Sequence, residues 1–217
     1  MIKWLILAFI AVIVVAFIVL FVVTRVEMSQ AKANEPLINE PLDSTTTNSK
    51  VAVVVFSRSG NTAVLAHHIA NKHKADLLFI EASDYDLGLP GIIHALSDAR
   101  TRVASIDPEI IDLASYDTVY LGSPIWLYSP APPIWQFASN NDFSNKHVIL
   151  FNTFNSYFGP EYIQAFEELV KMQGARSFDH RFVKRGRMGS QISTEQMLEN
   201  FDSLETGENN DVKTVQQ

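Results

Sequence analysis

Val51-Ala-Val-Val-Val-Phe-Ser-Arg-Ser-Gly-Asn-Thr62 decides the fold. Four valines, an alanine and a phenylalanine read as a buried strand, and they run straight into a loop of hydroxyls, one arginine and one glycine. Beyond Thr62, the residues Val64, Leu65, Ile69 and Ala70 recur at helical spacing as far as about His73. Strand, tight loop and helix in that order aim backbone N–H groups and the positive end of a helix at an anion. Ser57, Ser59, Asn61 and Thr62 add side-chain donors, and Gly60 permits close approach or a positive φ. The lysine of the triphosphate-binding pattern Gly-x4-Gly-Lys-Ser/Thr is missing, so an ATPase or GTPase reading fails at its key residue. A loop of neutral donors suits a phosphate monoester held without a metal. An ordinary βα turn capped by serine and threonine would use the same residue types, so this loop does not decide function alone.

Two later segments bear on it. Asp117-Thr-Val-Tyr-Leu-Gly-Ser-Pro-Ile-Trp-Leu-Tyr128 is again a buried strand running into a loop, here with Trp126 and Tyr128. Ser129-Pro-Ala-Pro-Pro133 then opens a helix, since proline is tolerated in a first turn and its fixed φ suits entry. His147-Val-Ile-Leu-Phe151 is a further strand, entering Asn152-Thr-Phe-Asn-Ser-Tyr-Phe-Gly159. In an open parallel sheet these three loops share the carboxyl edge, where ligands bind at the switch point of strand order. One phosphate cradle beside two aromatic loops suits a flat, conjugated, phosphorylated ligand.

Ser57-Arg-Ser-Gly-Asn-Thr62 followed by Gly122-Ser-Pro-Ile-Trp126 resembles the flavodoxin family, especially its short members, over about Lys50 to Phe201. The resemblance implies an α/β, doubly wound, five-stranded parallel sheet of order 2-1-3-4-5 that binds FMN. By matching position it implies that Ser57, Ser59, Gly60, Asn61 and Thr62 hold the FMN phosphate, with Arg58 in the same loop. It places Pro124, Ile125, Trp126, Leu127 and Tyr128 along one side of the flavin ring, with Trp126 or Tyr128 stacking on it. Thr153, Phe154, Asn155, Ser156, Tyr157 and Gly159 would meet the opposite face or edge. Many members carry a small loop at that point, whereas Phe154, Tyr157 and Phe158 are bulky. The function so implied is electron transfer between redox partners, which requires no catalytic side chain. The alternatives are an FMN-dependent reductase of quinone-like acceptors, and a membrane-associated binding module that has lost FMN.

The remainder of the chain frames this domain, expected over residues 50–203. Trp4 to Val23 is uninterrupted apolar sequence, and about 20 residues at ~1.5 Å rise match a hydrocarbon core of roughly 30 Å. Residues 1–25 therefore read as a single-pass anchor. A cleaved signal peptide fits less well, because the run is long and Ala31-Lys-Ala33 lies far beyond it. Lys3 precedes the span while Arg25 and Lys32 follow it, which places the carboxyl side in the cytoplasm. Residues 26–49, with Glu-Pro-Leu at 35–37 and 40–42 and a Thr/Ser/Asn tract, read as a flexible linker reaching about 25–30 Å. Residues 204–217 read as a disordered tail. A net charge of −7 argues against nucleic acid and fits either docking to basic patches or plain solubility. The absence of cysteine excludes disulfides and thiolate chemistry.

Between the motifs, the pattern predicts a strand over 75–81, helices over about 90–103 and 161–172, a strand over 175–183, and a helix over 194–201 with Ser193 and Gln196 as a capping box. His67 and His68 are neighbours, so they point to different faces of a helix and cannot chelate as an i, i+4 pair would. They read as surface histidines, and no metal site is expected. Lys184-Arg-Gly-Arg187 reads as a solvated basic loop, with contact to a membrane surface or acidic partner as the alternative. No serine–histidine–acid set and no Gly-x-Ser-x-Gly elbow is present.

Overall fold

The valine run becomes the centre of a parallel sheet in the computed structural model, which describes residues 2–43, 49–187 and 190–206. Strands β1 (Val51–Val55), β2 (Asp76–Phe79), β3 (Thr118–Trp126), β5 (His147–Phe154) and β6 (Ser177–Lys184) stand in the order 2-1-3-5-6. A two-residue strand, β4 (Ser129–Pro130), folds back antiparallel on the end of β3. With β4 set aside, the order is the expected 2-1-3-4-5. Ala52 to Val55 are wholly buried, which explains an apolar run without alternation: both faces of this strand are covered.

Successive residues of β1 feed two cores. Ala52 and Val54 pack with Leu121, Trp135, Phe137 and Phe166 under α4 (Pro132–Asn140) and α5 (Pro160–Met172). Val53 and Val55 pack with Leu65, Ile69, Phe151, Met197 and Phe201 under α2 (Asn61–His73) and α6 (Thr194–Thr206). The capping box forms reciprocally: Ser193 N–H donates to Gln196 Oε1 and Gln196 N–H to Ser193 Oγ, both at 3.1 Å.

Several elements depart from the sequence expectation. The helix expected over 90–103 is α3 (Leu89–Asp98). The chain turns out of it through Thr101 N–H to Asp98 O at 2.7 Å, and Arg102 lies over the ring of Trp135 at 4.4 Å, a contact a continuing helix would forfeit. The last helix runs on through Thr206, so residues 204–206 of the expected tail are ordered; 207–217 lie outside the described residues. The cause is Glu205, whose carboxylate is pinned by Lys72, His73 and Arg181. His67 is buried rather than at the surface, its Nε2 2.7 Å from the carbonyl of Glu40.

The largest departure is the linker. One helix, α1, covers Ile2–Ile38, so the polar half expected to be flexible is helical as far as Ile38. Helix growth off an existing apolar helix needs no new nucleus, and Glu27, Met28, Gln30, Ala31, Lys32, Ala33 and Glu35 are good helix formers. Its apolar first half is long enough to cross a membrane and is unburied. From Leu20 onward, residues 20, 23, 24, 27, 30, 31, 34 and 38 form one partly covered stripe at helical spacing, packed on α2 and α3. The chain beyond is also held, by Asp43 N–H donating to Asn71 Oδ1 at 2.9 Å. Residues 44–48 lie outside the described residues.

Candidate functional site

Three loops meet at the carboxyl edge of the sheet, as parallel strands in this order require. The first leaves β1 and enters α2 through Gly60, whose φ of +88° is one that side-chain-bearing residues rarely adopt. Among the described residues, the backbone N–H groups of Ser59, Gly60, Asn61 and Thr62 have no protein acceptor, which leaves the N-terminal donors of α2 available as a group. Thr62 is buried, and its Oγ1 lies 2.8 Å from Oγ1 of Thr153, tying the first loop to the third. Strands β3 and β5, which carry the second and third loops, are tied by Asn152 Nδ2, which donates to Ser123 O at 2.7 Å.

The cleft between the loops has a volume of about 170 Å³. Of the residues expected to form a site, Ser57, Arg58, Ser59, Asn61, Thr62, Pro124, Ile125, Trp126, Thr153, Phe154 and Asn155 line it. Leu127, Tyr128, Ser156, Tyr157 and Gly159 do not line it, and Gly60 faces α1 instead. Trp126 is held from the side by the edges of Phe56 at 5.6 Å and Tyr85 at 5.2 Å. Burial and the neighbouring Asp98 push the Tyr85 hydroxyl up to about 12, so it stays protonated under the tryptophan. Tyr128 stacks obliquely on Tyr157 at 4.9 Å, with a 3.2 Å bond from Tyr157 Oη to Tyr128 Oη that raises the Tyr157 hydroxyl. Leu127 and Tyr128 have φ of +40° and +81°, forming the two-residue turn that joins β3 to β4. Bulky residues in the left-handed region carry strain there.

The bulky third loop does not fill the cleft. Phe154 lines one wall while packing on Phe182, and Phe158 turns to the β6 side against Phe182, edge-on to His180 at 5.0 Å. Only Tyr157 of that set stands in solvent.

Residues from outside the three loops complete the wall: Glu27 and Gln30 from α1, and Arg185 and Gln191 after β6. Arg58 donates Nε to Tyr85 O at 3.0 Å and Nη2 to Gly88 O at 3.1 Å, while Nη1 pairs with Glu27. Asn34 Nδ2 donates to Ser59 O at 2.9 Å and Asn61 Oδ1 at 3.1 Å, and Gln30 Nε2 donates to Gln191 Oε1 at 2.5 Å. Arg185, expected in a solvated loop, is buried; it donates to Ile192 O and Thr194 Oγ1, and burial lowers its pKa from the ordinary value. A helix approaching from the far N-terminus leaves no motif near Ser57, and this is why sequence reading missed Glu27, Gln30 and Asn34. Arg185 carried a faint signal as the second residue of a basic run.

A family model described as Flavodoxin matches residues 50–201. The chain belongs to the flavodoxin family. Among solved structures, the flavodoxin domain is similar to a flavoprotein from Bacteroides uniformis (23% identity, 70% of this chain and 97% of that one, TM-score 0.53). It is also similar to one from Bacteroides eggerthii (19% identity, 73% and 99%, TM-score 0.52). A flavoprotein from Lactobacillus acidophilus, solved in complex with FMN, matches at 23% identity over 61% of this chain and 93% of that one, with TM-score 0.49. No curated protein matches the chain.

Proposed function

We propose that the flavodoxin domain binds FMN in this cleft and carries electrons between redox partners at a membrane surface. The observation that carries the reading is the set of free donors on the loop 57–62, at the N-terminus of α2, on the same sheet edge as the loops after β3 and β5. That neutral donor set fits a phosphate monoester. Ser57, Ser59, Asn61 and Thr62 would hold the phosphate, and Thr153 keeps Thr62 oriented through the 2.8 Å contact. Trp126, braced by Phe56 and Tyr85, would present an apolar wall to the ring and exclude water on that side. Bound FMN supplies the redox chemistry. The chain supplies position; among the described residues the charged side chains lining the cleft are Glu27, Arg58 and Arg185.

The helix Ile2–Ile38 anchors the domain as a single pass, with the domain on the cytoplasmic side, and raises its effective concentration near membrane redox enzymes. The decisive test is FMN titration of the full chain in detergent micelles, followed by flavin fluorescence. Quenching, with Ser59→Ala plus Thr62→Ala weakening affinity at least about tenfold, is the expected outcome. A folded protein that quenches no flavin would overturn the reading, and rapid NAD(P)H oxidation by the loaded protein would move it from carrier to reductase. A reporter fused after Gln217 fixes the membrane side.

A further inference from the structure

We infer that the juxtamembrane half of α1 is a strap over the phosphate loop, and that Glu27 is an internal competitor for the anion the loop is shaped to hold. The inference rests on the FMN reading and adds a control to it. Glu27 lines the same cleft as Ser57, Ser59, Asn61 and Thr62. One of its oxygens pairs with Arg58; the other, Oε2, is buried and has no partner among the described residues. Arg185, also lining the cleft, has a buried Nε in the same condition. A carboxylate placed there repels a phosphate entering the loop, since like charges in a half-dry cleft disfavour each other strongly.

Space points the same way. The cleft holds about 170 Å³ with the strap in place, against roughly 300–1,000 Å³ for sites that enclose a ligand of drug size. Asn34 closes the strap by bonding the rim of the loop at Ser59 O and Asn61 Oδ1. Gly60 makes this approach possible, because a Cβ there would lie 2.8 Å from Cβ of Asn34. The joint is releasable. Between residues 27 and 38 its hydrogen bonds and ion pair to the domain come from Glu27, Gln30 and Asn34, while Ile38, Glu40, Leu42 and Asp43 hold the chain beyond the strap. Because the strap continues the apolar span without a break, a tilt or rotation of the anchor moves Glu27 relative to the loop. By linkage, FMN favours the released strap by the same factor that release favours FMN.

The test uses the full chain in micelles. The natural sequence has no cysteine, so Gln30→Cys with Gln191→Cys can be bridged by a short, reducible bis-maleimide without competing thiols. The bridged protein should lose FMN quenching at least tenfold and regain it on reduction, and Glu27→Gln should bind FMN at least fivefold more tightly than the natural chain. Unchanged affinity in the bridged protein, or weaker binding in Glu27→Gln, overturns the strap. If no variant takes up FMN, the flavin reading falls and the strap is judged on inorganic phosphate instead. Its phosphorus resonance should then broaden with Glu27→Gln and not with the natural chain, and equal behaviour of the two sinks the strap as well.

Discussion

Two helices from opposite ends of the chain both pack against α2, and they are joined to the domain differently. At the carboxyl end, α6 delivers Glu205, only 7% exposed, into a set of partners that satisfies it completely: Lys72, His73, Arg181 and the hydroxyl of Tyr120. At the amino end, α1 delivers Glu27, which has one partner and one buried oxygen left over. Saturated ionic contacts fix a helix in place, because every departure strands a charge. An unsaturated contact beside a cleft is one that another anion can replace. The first joint belongs to the fold and the second to the site.

The same substitution at each joint separates them, and the larger effect is expected at α6. Burial alone would raise the Glu205 pKa, but hydrogen bonds from His73 and Lys72 and the charges of His73 and Arg181 outweigh it, and the group sits at about 2. A folded-state pKa below the unfolded value near 4.5 stabilises the fold fully above that pH, and the contribution disappears as pH falls through about 2. Glu205→Gln should therefore cost about 3 kcal/mol at pH 7 by chemical denaturation. It should also flatten the acid limb of the stability curve. A cost below about 1 kcal/mol would erase the distinction between the joints.

The fixed side of the molecule carries a second titrating group, of somewhat smaller effect in the accessible pH range. His180 lies on β6 beneath Phe158 and Phe182, with Nε2 2.9 Å from Asn152 Oδ1, and burial lowers its pKa to about 4. The unfolded chain takes up that proton near 6.5 while the folded one does not, so stability present above pH 6.5 declines toward pH 4. By pH 5 the loss should reach about 2 kcal/mol, and His180→Phe should abolish it. If the slope between pH 6.5 and 5 persists in His180→Phe, the titrating group lies elsewhere.

How much of this was legible in the sequence follows from the range of the interactions. The sheet could be read because each strand announces itself locally: Val51–Val55 and His147–Phe151 are apolar runs ended by polar loops. The conformation of the 57–62 loop, a tight turn into a helix, could be read for the same reason, as could the Ser193–Gln196 cap. The third loop was legible in composition but not in direction, since whether Phe154 and Phe158 fill the cleft or the core depends on Phe182 and His180, on another strand. The strap was illegible. Its polarity matches a linker, and only a contact across 31 residues, from Glu27 to Arg58, brings it to the loop.

The smallest stability effect is also the sharpest test of the contrast. Glu27→Gln keeps an oxygen that can accept from Arg58, and Arg58 retains the carbonyls of Tyr85 and Gly88 at 3.0 and 3.1 Å. The amide also carries no charge, so the cost of burying an ionised group with one unpartnered oxygen is removed. The pair is buried, so neutralising Glu27 still costs something, but the retained hydrogen bond and the two carbonyls on Arg58 should hold the loss to about 1–2 kcal/mol by thermal and chemical unfolding. A loss near 3 kcal/mol, matching that at Glu205, would mean that α1 is as permanent a part of the fold as α6. The unpaired oxygen would then be a defect of packing rather than a place held for an incoming anion.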